Sequence, residues 1–368
     1  MTMTKTLGLI VAPGVTERLG QDLARELPEM LDRLEVNRTE WQVELVVDAL
    51  TGFAESADRI FKDINAYHHK AHWDYVLALT DLPLFYEQEV LALDINTDSG
   101  SAVVFYPAYG WRPVKKRLER TIVQVVEMLQ SEQFEREPYD SDARMMPTLN
   151  RQFPLTRVKK HYHYREETKA YHICYTASSK GMGMFRLVTG MTFANNPLHM
   201  MSSLSSVVAI AFTTGAFGMV FSTMWQMSLL FSPWRLASIT IMAIFGMLIW
   251  VMTAHQLWEP VRNRKHSRII LLYNFTTVLT LLIAIVIYYF TLYFFFLIAA
   301  IVLLPPAFLG EQVGLNHAAG IGLYLSIPWF AASISTVAGA IGAGLLNEQV
   351  VKESTYGYRQ RLRYEHKA

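Results

Sequence analysis

Residues 269–310 read IILLYNFTTVLTLLIAIVIYYFTLYFFFLIAAIVLLPPAFLG, 42 positions without a charged side chain. A helix that crosses a bilayer needs about 20 predominantly apolar residues. Three further uncharged runs flank this one: Ser205–Trp225 (21 residues), Leu236–Ala254 (19) and Ala318–Leu346 (29). A soluble core gives no reason for four such runs in succession, so the back half of the chain is expected in lipid, and the bilayer is its first partner.

The quoted run is too long for one simple crossing. Ile269–Leu304 is 36 residues, or roughly 54 Å of helix at about 1.5 Å per residue, against a hydrocarbon core of about 30 Å. Either it is one tilted or protruding helix, giving four crossings, or it folds into a hairpin near Tyr288–Tyr293, giving five. Pro305 and Pro306 end it in both cases. Basic residues favour four. Arg262, Arg264, Lys265 and Arg268 follow the second run, and Lys352, Arg359, Arg361, Arg363 and Lys367 follow the last. Basic flanks stay on the cytosolic side, so both termini are expected inside a plasma (inner) membrane protein. The apolar runs hold no acid or base, apart from His255 at the end of one. Ionisable groups at depth mark proton and ion relays. Their absence argues against a carboxylate-coupled carrier.

The whole chain has 368 residues, 52% hydrophobic and 18% charged, with formal net charge +1. That balance carries no bulk signal for nucleic acid, and a single cysteine excludes a disulfide scaffold. The charges concentrate in the front half. Thr6–Ala12 is a short strand pattern, and its apolar run Leu7–Ala12, six residues, is too brief for a secretory h-region of about 7–15 residues. Leu19, Leu23, Leu27, Leu31 and Leu34 then line one face of a helix. Strand patterns at Trp41–Val47, Tyr75–Leu79, Val90–Leu93 and Ala102–Tyr106, with helices over Ser56–His72 and Pro113–Gln133, predict an α/β domain with a mainly parallel, Rossmann-like sheet. The expected organisation is a cytosolic α/β domain over residues 1–135 and a linker, β-hairpin and interfacial segment over 136–200. A helical transmembrane bundle over 201–348 and a basic tail over 349–368 follow.

No G-x-G-x-x-G or P-loop pattern is present. The first βα turn, Ala12-Pro13-Gly14-Val15-Thr16, still offers Gly14 and Thr16 at a helix N-terminus where a phosphate could sit. Asp48, Asp81 and Asp94 fall at the ends of expected strands, with Thr80 beside Asp81. Open parallel sheets bind ligands beyond those ends, although Asp also favours turns for its own backbone hydrogen bonds. These six residues are the candidate ligand set. His68 and His72 share a helix face but lack the Glu of a zincin motif. In the hairpin, His161 and His163 share one strand face, as do His172 and Cys174. If the strands register, four zinc-type ligands converge; otherwise they line a solvated face. No G-x-S-x-G is present, and the identity of a cofactor is left open by these motifs.

The last apolar run carries Ala331, Ser335, Gly339 and Ala343 at every fourth position, a small-residue face suited to close helix packing within one subunit or between copies. Tyr288–Phe296 is dense in aromatics, as at a membrane interface.

Thr80-Asp81-Leu82-Pro83-Leu84, Tyr106-Pro107-Ala108-Tyr109-Gly110, Leu257-Trp258-Glu259, Leu272-Tyr273-Asn274 with Thr276 and Thr277, and Tyr356-Gly357-Tyr358-Arg359 together resemble a poorly characterised family of multi-pass membrane proteins from Gram-positive bacteria. The likeness covers most of the chain and is least familiar in the His-rich hairpin. It implies an N-terminal α/β domain on a membrane bundle. Some members carry a folate-dehydrogenase name, which the missing dinucleotide fingerprint does not support here. Three functions follow as expectations: a homo-oligomeric scaffold or sensor whose α/β domain binds a ligand or partner, a channel or exporter, or a membrane-tethered enzyme using Asp81 and Asp94.

Overall fold

The computed structural model describes residues 3–33, 39–48, 57–96, 98–111, 113–130, 145–166, 169–177, 180–198, 200, 204–260, 267–343, 352 and 355. The basic loop residues Arg262, Arg264 and Lys265, the linker up to residue 144, and the tail apart from Lys352 and Thr355 lie outside them. The chain divides between Asn195 and Asn196 into two units.

The first unit is built on β1 (Met3–Val11), α1 (Val15–Asp32), β2 (Thr39–Val47), α2 (Ala57–Ala71), β3 (Tyr75–Thr80), β4 (Phe85–Tyr86), β5 (Glu89–Asn96) and β6 (Ser101–Phe105). After a 3₁₀ turn (Tyr106–Tyr109) come α3 (Val114–Gln130), α4 (Met145–Gln152), β7 (Val158–Arg165), β8 (Ala170–Ala177) and α5 (Lys180–Ala194). Seven strands lie in the order β2-β1-β3-β6-β5-β8-β7, with β4 paired to β5.

The pairs β1–β2, β1–β3 and β3–β6 are parallel. β5 is antiparallel to β6 and to β8, and β8 to β7. The sheet is therefore mixed, and the expectation of a mainly parallel sheet is corrected. Connection length is the reason. A parallel crossover needs a dozen or more residues, whereas only residues 97–100 join β5 to β6 and 166–169 join β7 to β8. The hairpin, placed by the sequence in the segment after the α/β domain, is thus part of the main sheet.

The helices cover both faces. Leu23, Leu27 and Leu31 of α1 are fully buried. Gly20 lets this helix lie against the sheet, because a Cβ there would come within 2.6 Å of Val11 Cγ1. On the opposite face, Ile60, Phe61 and Ile64 of α2 pack with Val76, Ala78, Val103, Phe105 and Cys174.

The second unit comprises α6 (Ser205–Gly218), α7 (Ser222–Leu230), α8 (Pro233–Ala254), α9 (Ser267–Leu303), α10 (Pro306–Gln312) and α11 (Ile321–Ala343). Three helices, α8, α9 and α11, are long and apolar enough to cross a membrane. The α6–α7 pair, bent by 91°, would make a fourth if it counts as one span. The long run is a single 37-residue helix with no break at Tyr288–Tyr293, as the one-helix alternative requires.

Tertiary packing sorts the side chains of this run. Tyr288 and Phe296 are fully buried, while Phe290, Phe294 and Phe295 point outward. Tyr289 is drawn inward by a hydrogen-bonded knot: its hydroxyl lies 3.0 Å from both Thr240 Oγ1 on α8 and Ser333 Oγ on α11, and Trp329 Nε1 donates to Thr240 Oγ1 at 2.8 Å. Such bonds join helices where lipid gives no hydrophobic drive to associate. The small-residue face of α11 is used the same way. Ala331 and Ser335 are fully buried in this unit's own core. A Cβ on Gly339 would strike the Tyr288 hydroxyl, and one on Gly215 of α6 would strike Ser335. Ala343 ends α11, and its side chain is outside the described residues.

Candidate functional site

At the carboxyl ends of the parallel strands, the candidate ligand residues largely serve the fold itself. Gly14 holds φ at 101°, a conformation that suits glycine. Its N–H faces Glu17 Oε2 at 3.4 Å, so the start of α1 carries its own carboxylate where a phosphate would have to sit. Thr16 is buried, and its hydroxyl donates to the Ala12 carbonyl at 2.6 Å. Asp48 follows β2, its N–H bonded to the Val11 carbonyl at 3.0 Å. Its carboxylate accepts from the Tyr67 hydroxyl, and that bond, with burial, pushes the tyrosine up to about 12. Thr80 and Asp81 are both buried, and Thr80 Oγ1 accepts the Leu82 N–H at 3.2 Å.

Asp94 does not join them. Because β5 runs against β6, Asp94 pairs with Val103 and Cys174 in mid-sheet. It sits instead among the hairpin histidines. Residues His161, His163 and Arg165 of β7 share a face by period-two alternation, and the register His161↔Cys174 and His163↔His172 brings the four expected ligands to one side. A register irregularity between Leu91 and Leu93 then shifts β5 by one residue. Glu89 and Asp94, five apart, thereby share this face, which strict alternation would forbid.

The centre of the group is a guanidinium. Arg165 Nη2 donates to Asp94 Oδ2 at 2.6 Å and lies 3.6 Å from Cys174 Sγ, while Arg165 Nε donates to His163 Nε2 at 2.9 Å. His172 Nδ1 lies 3.0 Å from Asp94 Oδ1. A carboxylate only accepts, which assigns the proton to Nδ1; His163 accepts at Nε2, which assigns its proton to Nδ1 as well. The His172 and Phe61 rings meet in a T-shaped contact with 4.7 Å between centroids. Asp94 and His172 are completely buried, and Arg165 keeps 12% of its side chain exposed.

A second chain of bonds runs beside the first. Lys159 Nζ donates to Glu89 Oε1 at 2.6 Å, Thr176 Oγ1 donates to Glu89 Oε2 at 2.7 Å, and His161 Nε2 lies 3.0 Å from Thr176 Oγ1. Burial would raise the Glu89 carboxyl, but the bonds from Lys159 and Thr176 outweigh it and hold the group below its ordinary value. The Tyr86 ring covers both chains, 4.9 Å from the His161 and His163 rings.

The expected convergence of His161, His163, His172 and Cys174 therefore takes a form different from a zinc site. Arg165 supplies the positive charge between Asp94 and His163, and His161 turns to Thr176. Among the described residues no group of three His, Cys, Asp or Glu is arranged to hold a metal ion. Burial, reinforced by Asp94, pushes the Cys174 thiol far above its ordinary value, so it is not a thiolate nucleophile. The sequence reading missed Arg165 and Glu89 as members. The signal available for Arg165 and Lys159 was their place in the same period-two stripe as the histidines.

Comparison with family models, curated proteins and solved structures gives no match. The family resemblance carried by the short motifs therefore assigns no role to any residue.

Proposed function

We propose that this chain is a membrane-anchored binding protein, a scaffold or sensor, in which the α/β unit takes up a ligand or partner and the helices hold it at the inner face of the plasma membrane. One observation carries the reading. A mixed α/β sheet with a buried charge network shares a chain with helices whose outward faces are apolar, such as Met242, Ile249 and Val302. The apolar runs contain no carboxylate, which favours anchoring over ion-coupled transport. Both termini lie inside in this reading, with the bent α6–α7 pair as a fourth crossing. Because Ala331, Ser335 and Gly339 pack within one subunit, a homo-oligomer would assemble through other surfaces.

Protease treatment of intact cells and of inverted membrane vesicles tests the topology. The α/β unit should be cut only in inverted vesicles. A thermal-shift screen of the detergent-purified full-length protein against small metabolites should yield a stabilising ligand. Substrate or ion flux in liposomes, without any such ligand, would replace this reading with a channel or exporter.

A further inference from the structure

Two arginines outside the network have no carboxylate partner among the described residues. Arg117, in the first turn of α3, donates through Nη1 to the carbonyls of Tyr109 at 2.9 Å and Trp111 at 3.2 Å. Arg186 of α5 reaches the same Tyr109 carbonyl through Nη1 at 3.5 Å and the Pro154 carbonyl through Nη2. Arg186 is 8% exposed, and its buried Nε has no hydrogen-bond partner. Every acceptor is a neutral carbonyl, and among the described residues no carboxylate pairs with either side chain. Burial lowers the Arg117 guanidinium, and burial together with Arg117 pulls Arg186 down to about 10. A buried cation without an anion is costly to keep.

Their position adds to the case. Both flank the turn after β6, on the strand-end side of the sheet where open α/β folds take ligands. Gly110 adopts φ 72° there, and a Cβ on it would strike Arg186 Cγ. The first turn of α3 holds no acidic residue, unlike that of α1, so its amide dipoles are left to favour a negative charge. Trp111, 58% exposed and stacked on Phe193 at 5.2 Å, stands beside the pair.

We infer that Arg117 and Arg186, with the N-terminus of α3, form a binding site for a phosphate-type oxyanion carried by a ligand. Guanidinium forks match such groups with paired hydrogen bonds. The bound anion would accept from the half-buried Arg117 guanidinium and neutralise two like charges that now share one carbonyl, while Arg186, over the Phe153 ring at 5.4 Å, adds its charge from behind. The inference rests on the reading of the α/β unit as the binding half and names the chemistry it selects.

Calorimetry of the full-length protein in neutral detergent, in chloride buffer at constant ionic strength, tests the site. One arm titrates inorganic phosphate and the other a short-chain phosphatidic acid. Saturable binding of phosphate identifies a soluble ligand, and binding of the lipid alone identifies a headgroup; both support an oxyanion site. Arg117→Gln should weaken binding at least tenfold, Arg117→Lys by less, and Lys116→Gln, on the exposed side of α3, by less than twofold. Absence of saturable heat in both arms would overturn the inference, as would Arg117→Gln binding like the wild type or Lys116→Gln losing as much. Should Arg117→Gln not fold, Arg117→Lys against Lys116→Gln makes the same comparison. A neutral ligand found by the thermal screen, with no phosphate binding, would sink the anion site and leave the binding function standing.

Discussion

Replacing Asp94 by leucine removes the acceptor on which Arg165 and His172 converge. The carboxylate takes Arg165 at 2.6 Å and His172 at 3.0 Å. Hydrogen bonds to charged groups contribute about 1.5–3 kcal/mol each, so two amount to about 3–6 kcal/mol. Burying the leucine side chain returns part of this, at most about 1.5–3 kcal/mol. Arg165 sits on edge strand β7 with 12% of its side chain exposed, so its freed charge can turn toward water. The expected loss is about 3 kcal/mol, at the low end of what breaking a buried pair from one side costs. Arg165→Met should cost more, about 3–5 kcal/mol, because Asp94 is fully buried and has no such exit. The double variant Asp94→Leu/Arg165→Met leaves no stranded charge. It should fall short of the sum of the singles by about 2 kcal/mol. Urea unfolding of the detergent-solubilised full-length protein gives the energies, and hydrogen exchange over β5, β7 and β8 shows whether the loss is local. A cost below about 1 kcal/mol for Asp94→Leu, or additive singles, would refute the claim that these groups form one buried unit.

Other outcomes follow from the same structure. Gly339→Ala places a methyl against the Tyr288 hydroxyl and 3.2 Å from Ala211 Cβ, and overpacking of this kind costs about 1–3 kcal/mol; Gly246→Ala, where the space is open, should cause no loss. Equal melting temperatures for the two variants in detergent would contradict the seam described between α6, α9 and α11. Cys174 should resist iodoacetamide at pH 8 in the native protein and react fully in denaturant, as mass spectrometry would show; rapid native labelling would place the thiol in a different environment. The Glu89 carboxyl is lowered in the folded state, so its contribution is complete above the ordinary carboxylate value and fades as pH falls through the lowered one. Glu89→Gln should flatten the acid limb of a stability–pH curve, and an unchanged limb would remove Glu89 from the network's charge balance.

Much of the network was legible in the chain, but as separate fragments. The alternation of Lys159, His161, His163 and Arg165 marks one strand face, and Asp94 reads as a strand-end acid. Joining them requires three facts absent from local pattern: that β8 pairs with β5, that the register irregularity at Leu91–Leu93 shifts β5, and that β5 runs antiparallel. A zinc reading was reasonable from ligand types alone, because composition does not show that a guanidinium stands among them. The small-residue face of α11 was equally visible, yet whether it met its own chain or another copy depended on Gly215, Tyr288 and Phe296, which lie on other helices.

The sequence by itself determined the solvents. Transfer of apolar side chains sums residue by residue along a run and needs no knowledge of neighbours, so the lipid-suited helices and their absence of charge stand out directly. The tertiary structure decided the rest: which strand flanks which, which aromatic rings face inward, and which cations meet only carbonyls among the described residues. Those outcomes depend on register between segments 70 and more residues apart, where a slip of one position turns every side chain to the opposite face.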